Sequence, residues 1–224
     1  MISKQPRFDA VCFDCDSTLT SIEGIDELAD RAGCRPEIAA LTDAAMNGLV
    51  PLEEVYAKRL DLVRPDRSAL AWLVERYADE VVSGSAETIA TLKRHGKAVY
   101  VITGGLLQAV AEFARWLGLS AEQVHALYFD GVGVYQEFDT SSPLCRSNGK
   151  AAICRKLAAK HGEIAIVGDG LTDLAARAGG AYVVGYGGVA YREVMRQGAD
   201  FYVATPSLTG TLPALLTEEE LARF

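Results

Sequence analysis

The sequence predicts an α/β protein: a parallel sheet with helices on both faces and a helical bundle inserted after the first strand. Short β-rich apolar runs alternate with helical patterns, as βαβ units do. The alternation stops for about sixty residues after the first run and then resumes. Two of the buried-looking runs end in paired aspartates, Asp14/Asp16 and Asp169/Asp173. In an open parallel sheet, the carboxyl ends of the strands form the edge where ligands bind.

The first run, Ala10-Val11-Cys12-Phe13, is followed by Asp14-Cys15-Asp16-Ser17-Thr18. A strand has a period of two, so Asp14 and Asp16 lean to one side where it ends. Their repulsion is offset by a hard divalent cation, and magnesium, which takes few carboxylates and keeps its waters, suits such a place. A lone Asp-x-Asp also serves as a turn or an N-cap, so matching pieces downstream must decide.

From Ile22 to about Val81 the pattern reads as helices only, over Glu23–Ala32, Pro36–Met46, Leu52–Leu62 and Arg67–Tyr77. Inserted directly after a strand, this bundle would stand over the ligand edge as a lid. A helix near Ala86–His95 and a strand Ala98–Ile102 resume the alternation, and the strand runs into Thr103-Gly104-Gly105 and a helix through Leu117. A hydroxyl, a glycine backbone and a helix N-terminus together make an anion cradle. Ala126–Phe129 and Val132–Phe138, around Asp130-Gly131, suggest a β-hairpin.

Lys150 opens the next helix, which runs through Lys160. A cation there opposes the helix dipole, so a negative neighbour would rationalise it. Glu163–Val167 is a buried strand ending in Gly168-Asp169-Gly170-Leu171-Thr172-Asp173, where a glycine lets the backbone approach closely. Ala181–Val184 and Phe201–Val203 complete the sheet, with a helix near Tyr191–Gln197 between them. A flexible turn covers Gly185 to Gly188, and a closing helix covers Leu208–Leu216.

With 224 residues the chain can bury one domain plus an insertion. The formal net charge of −8 argues against a nucleic-acid partner. No uncharged apolar stretch approaches the roughly 20 residues of a membrane span, and Met1–Arg7 lacks a signal peptide's apolar centre. A cytoplasmic location is expected. The five scattered cysteines suggest no disulfide framework. Cys12 and Cys15 would point to opposite faces as packing residues. His95, His125 and His161 lack ligand spacing and read as surface residues, Trp72 and Trp116 as packing residues, and Glu218–Glu220 as a solvated terminal helix.

Taken together, Asp14/Asp16, Thr103, Lys150 and Asp169/Asp173 resemble the haloacid dehalogenase superfamily of aspartate-nucleophile phosphatases. The opening Asp14–Leu19 with Glu23–Ala29 resembles its phosphoserine phosphatase family, as do Ile102–Gly105, Gly168–Asp173 and Gly185–Gly188. The resemblance implies a Rossmann-like core over 1–21 and 82–224 and a helical cap, or lid, over 22–81. It implies Asp14 as nucleophile, Asp16 as general acid/base, and Thr103, the Gly104 amide and Lys150 as stabilisers of phosphoryl charge. Magnesium would bind Asp14, Asp16 (through its main-chain carbonyl) and Asp169, oriented by Asp173. Substrate binding would add Glu23 for an ammonium, Arg59 for a carboxylate, Met46 and Leu52 as apolar walls, and Thr172.

The implied substrate is phosphoserine, with no nucleic-acid or membrane partner and a monomeric or homodimeric state. The pattern departs from the family at Thr103 (often serine), Leu106 (often aromatic), Thr172 (often asparagine) and Leu52 (where phenylalanine occurs). The alternatives are another small phosphomonoester, a phosphoacceptor signalling module, and dehalogenase chemistry, which needs neither Asp16 nor the second acidic pair.

Overall fold

A computed structural model of the chain describes residues 7–46, 49–129 and 138–222. Six parallel strands form one sheet in the order β3-β2-β1-β4-β5-β6: β1 Ala10–Phe13, β2 Ala98–Leu106, β3 Val124–Leu127, β4 Ile164–Gly168, β5 Ala181–Tyr186 and β6 Phe201–Val203. This is the doubly wound order, with its switch point between β1 and β4. Parallel connections need crossovers. They include α5 (Ser85–Arg94) between the inserted helices and β2, α6 (Leu107–Trp116) before β3, and α7 (Gly149–His161) before β4.

Side-chain alternation separates two cores. Val11 and Phe13 pack with α5, α6 and Leu212 on one face, while Ala10 and Cys12 pack with Ile153 and Leu157 of α7 on the other. Cys12 and Cys15 fall in different cores, as their odd spacing demands. All five cysteines are free thiols.

Between β1 and α5 stand α1 (Gly24–Ala32), α2 (Arg35–Met46), α3 (Leu52–Val63) and α4 (Arg67–Asp79), within two residues of the expected bounds. The two connections to this bundle are tied together. Thr20 and Val81 form an antiparallel bridge, the Val82 amide donates to Leu19 O (2.9 Å), and the Ser21 amide donates to Glu80 O (2.8 Å).

Several expectations need correction. β2 does not stop at Ile102 but runs through Leu106 with a register shift, so Thr103–Gly105 lie in irregular strand and α6 begins at Leu107. The Thr103 hydroxyl accepts the Gly105 amide (3.1 Å) within this irregular stretch, and pairing of Leu106 with Leu127 of β3 carries the strand on. β5 likewise continues through Tyr186, whose hydroxyl donates to Pro206 O (2.9 Å). The 126–138 hairpin is represented by one antiparallel bridge, Phe129–Phe138, and residues 130–137 lie outside the described residues. The closing helix is a 3-10 turn (Leu208–Thr211) followed by one α turn (Leu212–Leu215).

Glu220 is not simply solvated. It accepts a hydrogen bond from the buried Lys97 (3.0 Å), which also donates to Phe8 O (2.9 Å), so the last helix is tied to the start of the sheet. His125 and His161 flank the Tyr100 ring, and the Tyr100 hydroxyl lies 2.7 Å from His161 Nε2. Trp116 is 58% exposed, covering Phe113 on one side only.

Candidate active site

The turn after β1 is tight. The Cys15 carbonyl accepts the amides of Thr18, Leu19 and Thr20, and Ser17 takes a left-handed φ of 53°. The Asp14 amide donates to Val167 O (2.9 Å), fastening the end of β1 to that of β4. Asp14 Oδ1 accepts the Cys15 amide (2.8 Å), and Lys150 Nζ lies 2.7 Å from Asp14 Oδ2. The same ammonium donates to Asp173 Oδ1 (2.7 Å), and the Gly170 amide donates to Asp173 Oδ2 (3.1 Å). Lys150 thus has the negative neighbours that its place at a helix start required. The close approach belongs to Gly168, where a Cβ would lie 2.1 Å from Asp173 Cγ.

Carboxylate oxygens of Asp14, Asp169 and Asp173, all buried, lie within 4.8 Å of one another. Among the described residues two cations reach this group, Lys150 and Arg192, whose Nε donates to Asp169 Oδ2 (2.9 Å). Burial, with Glu23 and Asp14 nearby, pushes Asp169 well above the ordinary carboxylate range. Burial lifts Asp173 to about 6 although Lys150 pulls it down. Burial opposes the Lys150 charge, but Asp14 and Asp173 outweigh it and raise its pKa. Crowded buried oxygens of one sign fit a hard divalent cation.

The Asp16 carboxylate stands outside this group. Its Oδ1 accepts the Tyr77 hydroxyl (2.8 Å) and its Oδ2 the Gly24 amide (3.1 Å). Burial and Asp14 raise it to about 7, against those two donors. Glu23 Oε1 accepts the Ser17 hydroxyl (2.7 Å) and lies 4.0 Å from Arg192 Nη2. Burial and Asp16 raise Glu23 to about 8.

These shifts have a stability consequence. Each acid is raised above its unfolded value near 4, so the folded state binds more protons than the unfolded state across the interval between the two values. The metal-free protein therefore loses stability as pH rises from about 4 through about 8, with Asp173 contributing up to about 6, Asp16 up to about 7 and Glu23 up to about 8. Thermal denaturation should give a higher Tm at pH 6 than at pH 8 without divalent metal, with magnesium narrowing the gap. A metal-free Tm that increases over this interval would contradict the electrostatic picture.

Above the acids is a cavity of about 780 Å³, its open mouth included. Asp14, Asp16, Lys150, Thr103, Gly104 and Thr172 line it from the sheet side, and Glu23 and Arg59 from the inserted helices. Arg59 is 5% exposed, and its Nη1 donates to the Thr42 hydroxyl (3.1 Å), which in turn donates to Asp26 (2.9 Å). Its Nε is buried with no hydrogen-bond partner among the described residues. A cavity-lining guanidinium that keeps an unmatched donor fits an incoming anion that can reach it. Met46 and Leu52 occupy helix ends in α2 and α3, but their side chains lie outside the described residues.

Several cavity-lining or cavity-supporting side chains were missed, four aromatic or basic ones among them. The Tyr56 hydroxyl donates to Gly104 O (2.6 Å), Tyr77 holds Asp16, Arg192 holds Asp169, and Arg146 lines the cavity. Single aromatic or basic residues in helices and loops carry no sequence signal that separates a cavity wall from a core or a solvated face.

Residues 8–180 match the family model described as haloacid dehalogenase-like hydrolase. The phosphoserine phosphatase of Drosophila melanogaster is 35% identical, covering 89% of this chain and 79% of that protein. The chloroplastic phosphoserine phosphatase of Arabidopsis thaliana is 37% identical over 87% of this chain and 68% of that protein. The chain belongs to the phosphoserine phosphatase family of haloacid dehalogenase-like hydrolases. A solved family structure, titled a phospho-aspartyl intermediate analogue of phosphoserine phosphatase, superposes with a TM-score of 0.82 at 26% identity, covering 94% of this chain and 100% of that one. Among the described residues, no helix is long and apolar enough to cross a membrane.

Proposed function

We propose that the chain is a magnesium-dependent phosphatase that hydrolyses O-phospho-L-serine, as the final, phosphate-releasing step in making serine. One observation carries this reading: a single cavity brings the Asp14–Lys150 pair together with Glu23 and Arg59, side chains of opposite charge. Phosphoserine presents phosphate, ammonium and carboxylate, and each finds a counterpart there. Burial and Asp16 disfavour the charge on Glu23, an arriving ammonium favours it, and Arg59 offers its unmatched Nε to the carboxylate.

In the first step an Asp14 carboxylate oxygen attacks phosphorus. The bond from phosphorus to the serine oxygen breaks, and that oxygen takes a proton from the Asp16 carboxyl. In the second step the Asp16 carboxylate removes a proton from water, whose oxygen attacks the same phosphorus. The acyl-phosphate bond then breaks and returns Asp14 as a carboxylate. A pKa of about 7 lets Asp16 serve in both directions near neutrality. Lys150, the Thr103 hydroxyl and the Gly104 amide bind the phosphoryl oxygens where charge builds up. Asp14, Asp169 and the Asp16 main-chain carbonyl would hold the metal, with Asp173 beside them. When bound there, the ion would supply positive charge that offsets the repulsion of an anionic nucleophile and an anionic phosphate.

Residues 22–81 act as a lid domain over a core of 1–21 and 82–224, excluding bulk water during the first step. The five unpaired thiols suit a reducing, cytoplasmic setting. The direct test is turnover of phosphoserine against a panel of small phosphomonoesters. Phosphoserine should rank first, and a low rank would leave the chemistry but remove the substrate. Stripping divalent metal with a chelator should abolish turnover, and magnesium should restore it. In Asp169→Asn that restoration should fail, with no rise in Tm on adding magnesium.

A further inference from the structure

Both oxygens of the Asp16 carboxylate are held by groups from the inserted helices. The Gly24 amide comes from the first turn of α1, and the Tyr77 hydroxyl reaches across 61 residues from α4. Tyr77 is 1% exposed, and its ring packs against Phe113 of α6 at 5.4 Å between centroids. Gly24 leaves no slack on the other side, because a Cβ there would lie 2.1 Å from the Tyr77 oxygen. The phenol is thus wedged between the inserted bundle and the core, with its one polar atom on the carboxylate. We propose that Tyr77 is a positioning residue that holds Asp16 in the orientation needed to protonate the departing serine oxygen.

Two features distinguish this from ordinary packing. A buried phenol needs one partner, and many carbonyls could supply it, yet Tyr77 spends its hydrogen bond on a cavity-lining carboxylate. A hydroxyl can donate or accept, so it stays bonded to Asp16 whether that group carries its proton or has given it up. Each carboxyl oxygen keeps a second lone-pair direction for the transferred proton. Misplacing a catalytic group by about 1 Å costs roughly 100-fold.

The inference rests on Asp16 being the general acid, and the test separates the two claims. Tyr77→Phe keeps the ring and removes only the hydroxyl. With enzyme in excess and magnesium present, the first step is read as serine release from phosphoserine and as nitrophenolate release from p-nitrophenyl phosphate. The nitrophenolate departs without a proton. Tyr77→Phe should slow serine release roughly 10- to 100-fold and leave nitrophenolate release within about threefold, with KM for phosphoserine unchanged.

Equal losses on both substrates, or a change confined to KM, would overturn the role of Tyr77. Asp16→Asn, measured alongside, should show the same split more strongly. If it shows none, Asp16 is not the acid and the inference falls with it. Gly24→Ala approaches the same contact from the other side and keeps the hydroxyl while forcing it away. It should reproduce the split between the two substrates in the parent protein, and equal losses on both would overturn the role.

Discussion

Asp14→Asn should remove turnover of phosphoserine by on the order of 10⁴-fold or more while leaving a folded protein. An amide has no anionic oxygen to attack phosphorus, and the remaining groups bind charge without replacing that bond. The fold should survive because the change relieves crowding among Asp14, Asp169 and Asp173, and Lys150 keeps its 2.7 Å partner in Asp173. The metal-free variant should therefore melt no lower than the parent in low salt at pH 8. Residual turnover within about tenfold of the parent would remove the nucleophile assignment. A large fall in Tm would instead mean that the Asp14–Lys150 pair stabilises the edge of the sheet more than acid crowding destabilises it.

Arg59→Ala should lower kcat/KM for phosphoserine about 100-fold and that for an aryl phosphate only a few-fold. Hydrogen bonds to charged groups contribute about 1.5–3 kcal/mol, so losing a charged pair at a buried wall is worth one to two factors of ten. The aryl phosphate has no carboxylate to lose. Truncation also removes the donor to Thr42 and the cation over the Tyr56 ring, so some common loss on both substrates is expected. Arg59→Lys keeps charge without the planar fork and should fall between the two. Equal losses on both substrates would make Arg59 a support for α2 and α3 rather than a reader of the carboxylate.

Much of the sheet edge could be read from local pattern. Asp14 and Asp169 follow apolar runs of strand length, and alternation in those runs predicts the two faces on which Cys12 and Cys15 separate. Lys150 was conspicuous because its charge is wrong for a helix start. The inserted helices were legible from spacing and from Gly and Pro punctuation. Thr103–Gly105 misled because a hydroxyl and two glycines after an apolar run look like a turn, whereas pairing with β3 draws the strand on to Leu106. Glu220 misled because the partner that makes it structural, Lys97, lies 123 residues away.

The acids and the lysine are placed by the sequence itself, and most of the secondary structure on which they stand follows from interactions among near neighbours, which periodicity and punctuation record. The choice of which side chains meet does not, because it depends on the strand order 3-2-1-4-5-6 and on how four helices settle over its switch point. Tyr77 on Asp16, Arg192 on Asp169 and Tyr56 on the Gly104 carbonyl are contacts of that kind. Each joins a residue with no period of its own to a strand end far away in sequence. Only close packing of the finished core brings them within hydrogen-bonding distance.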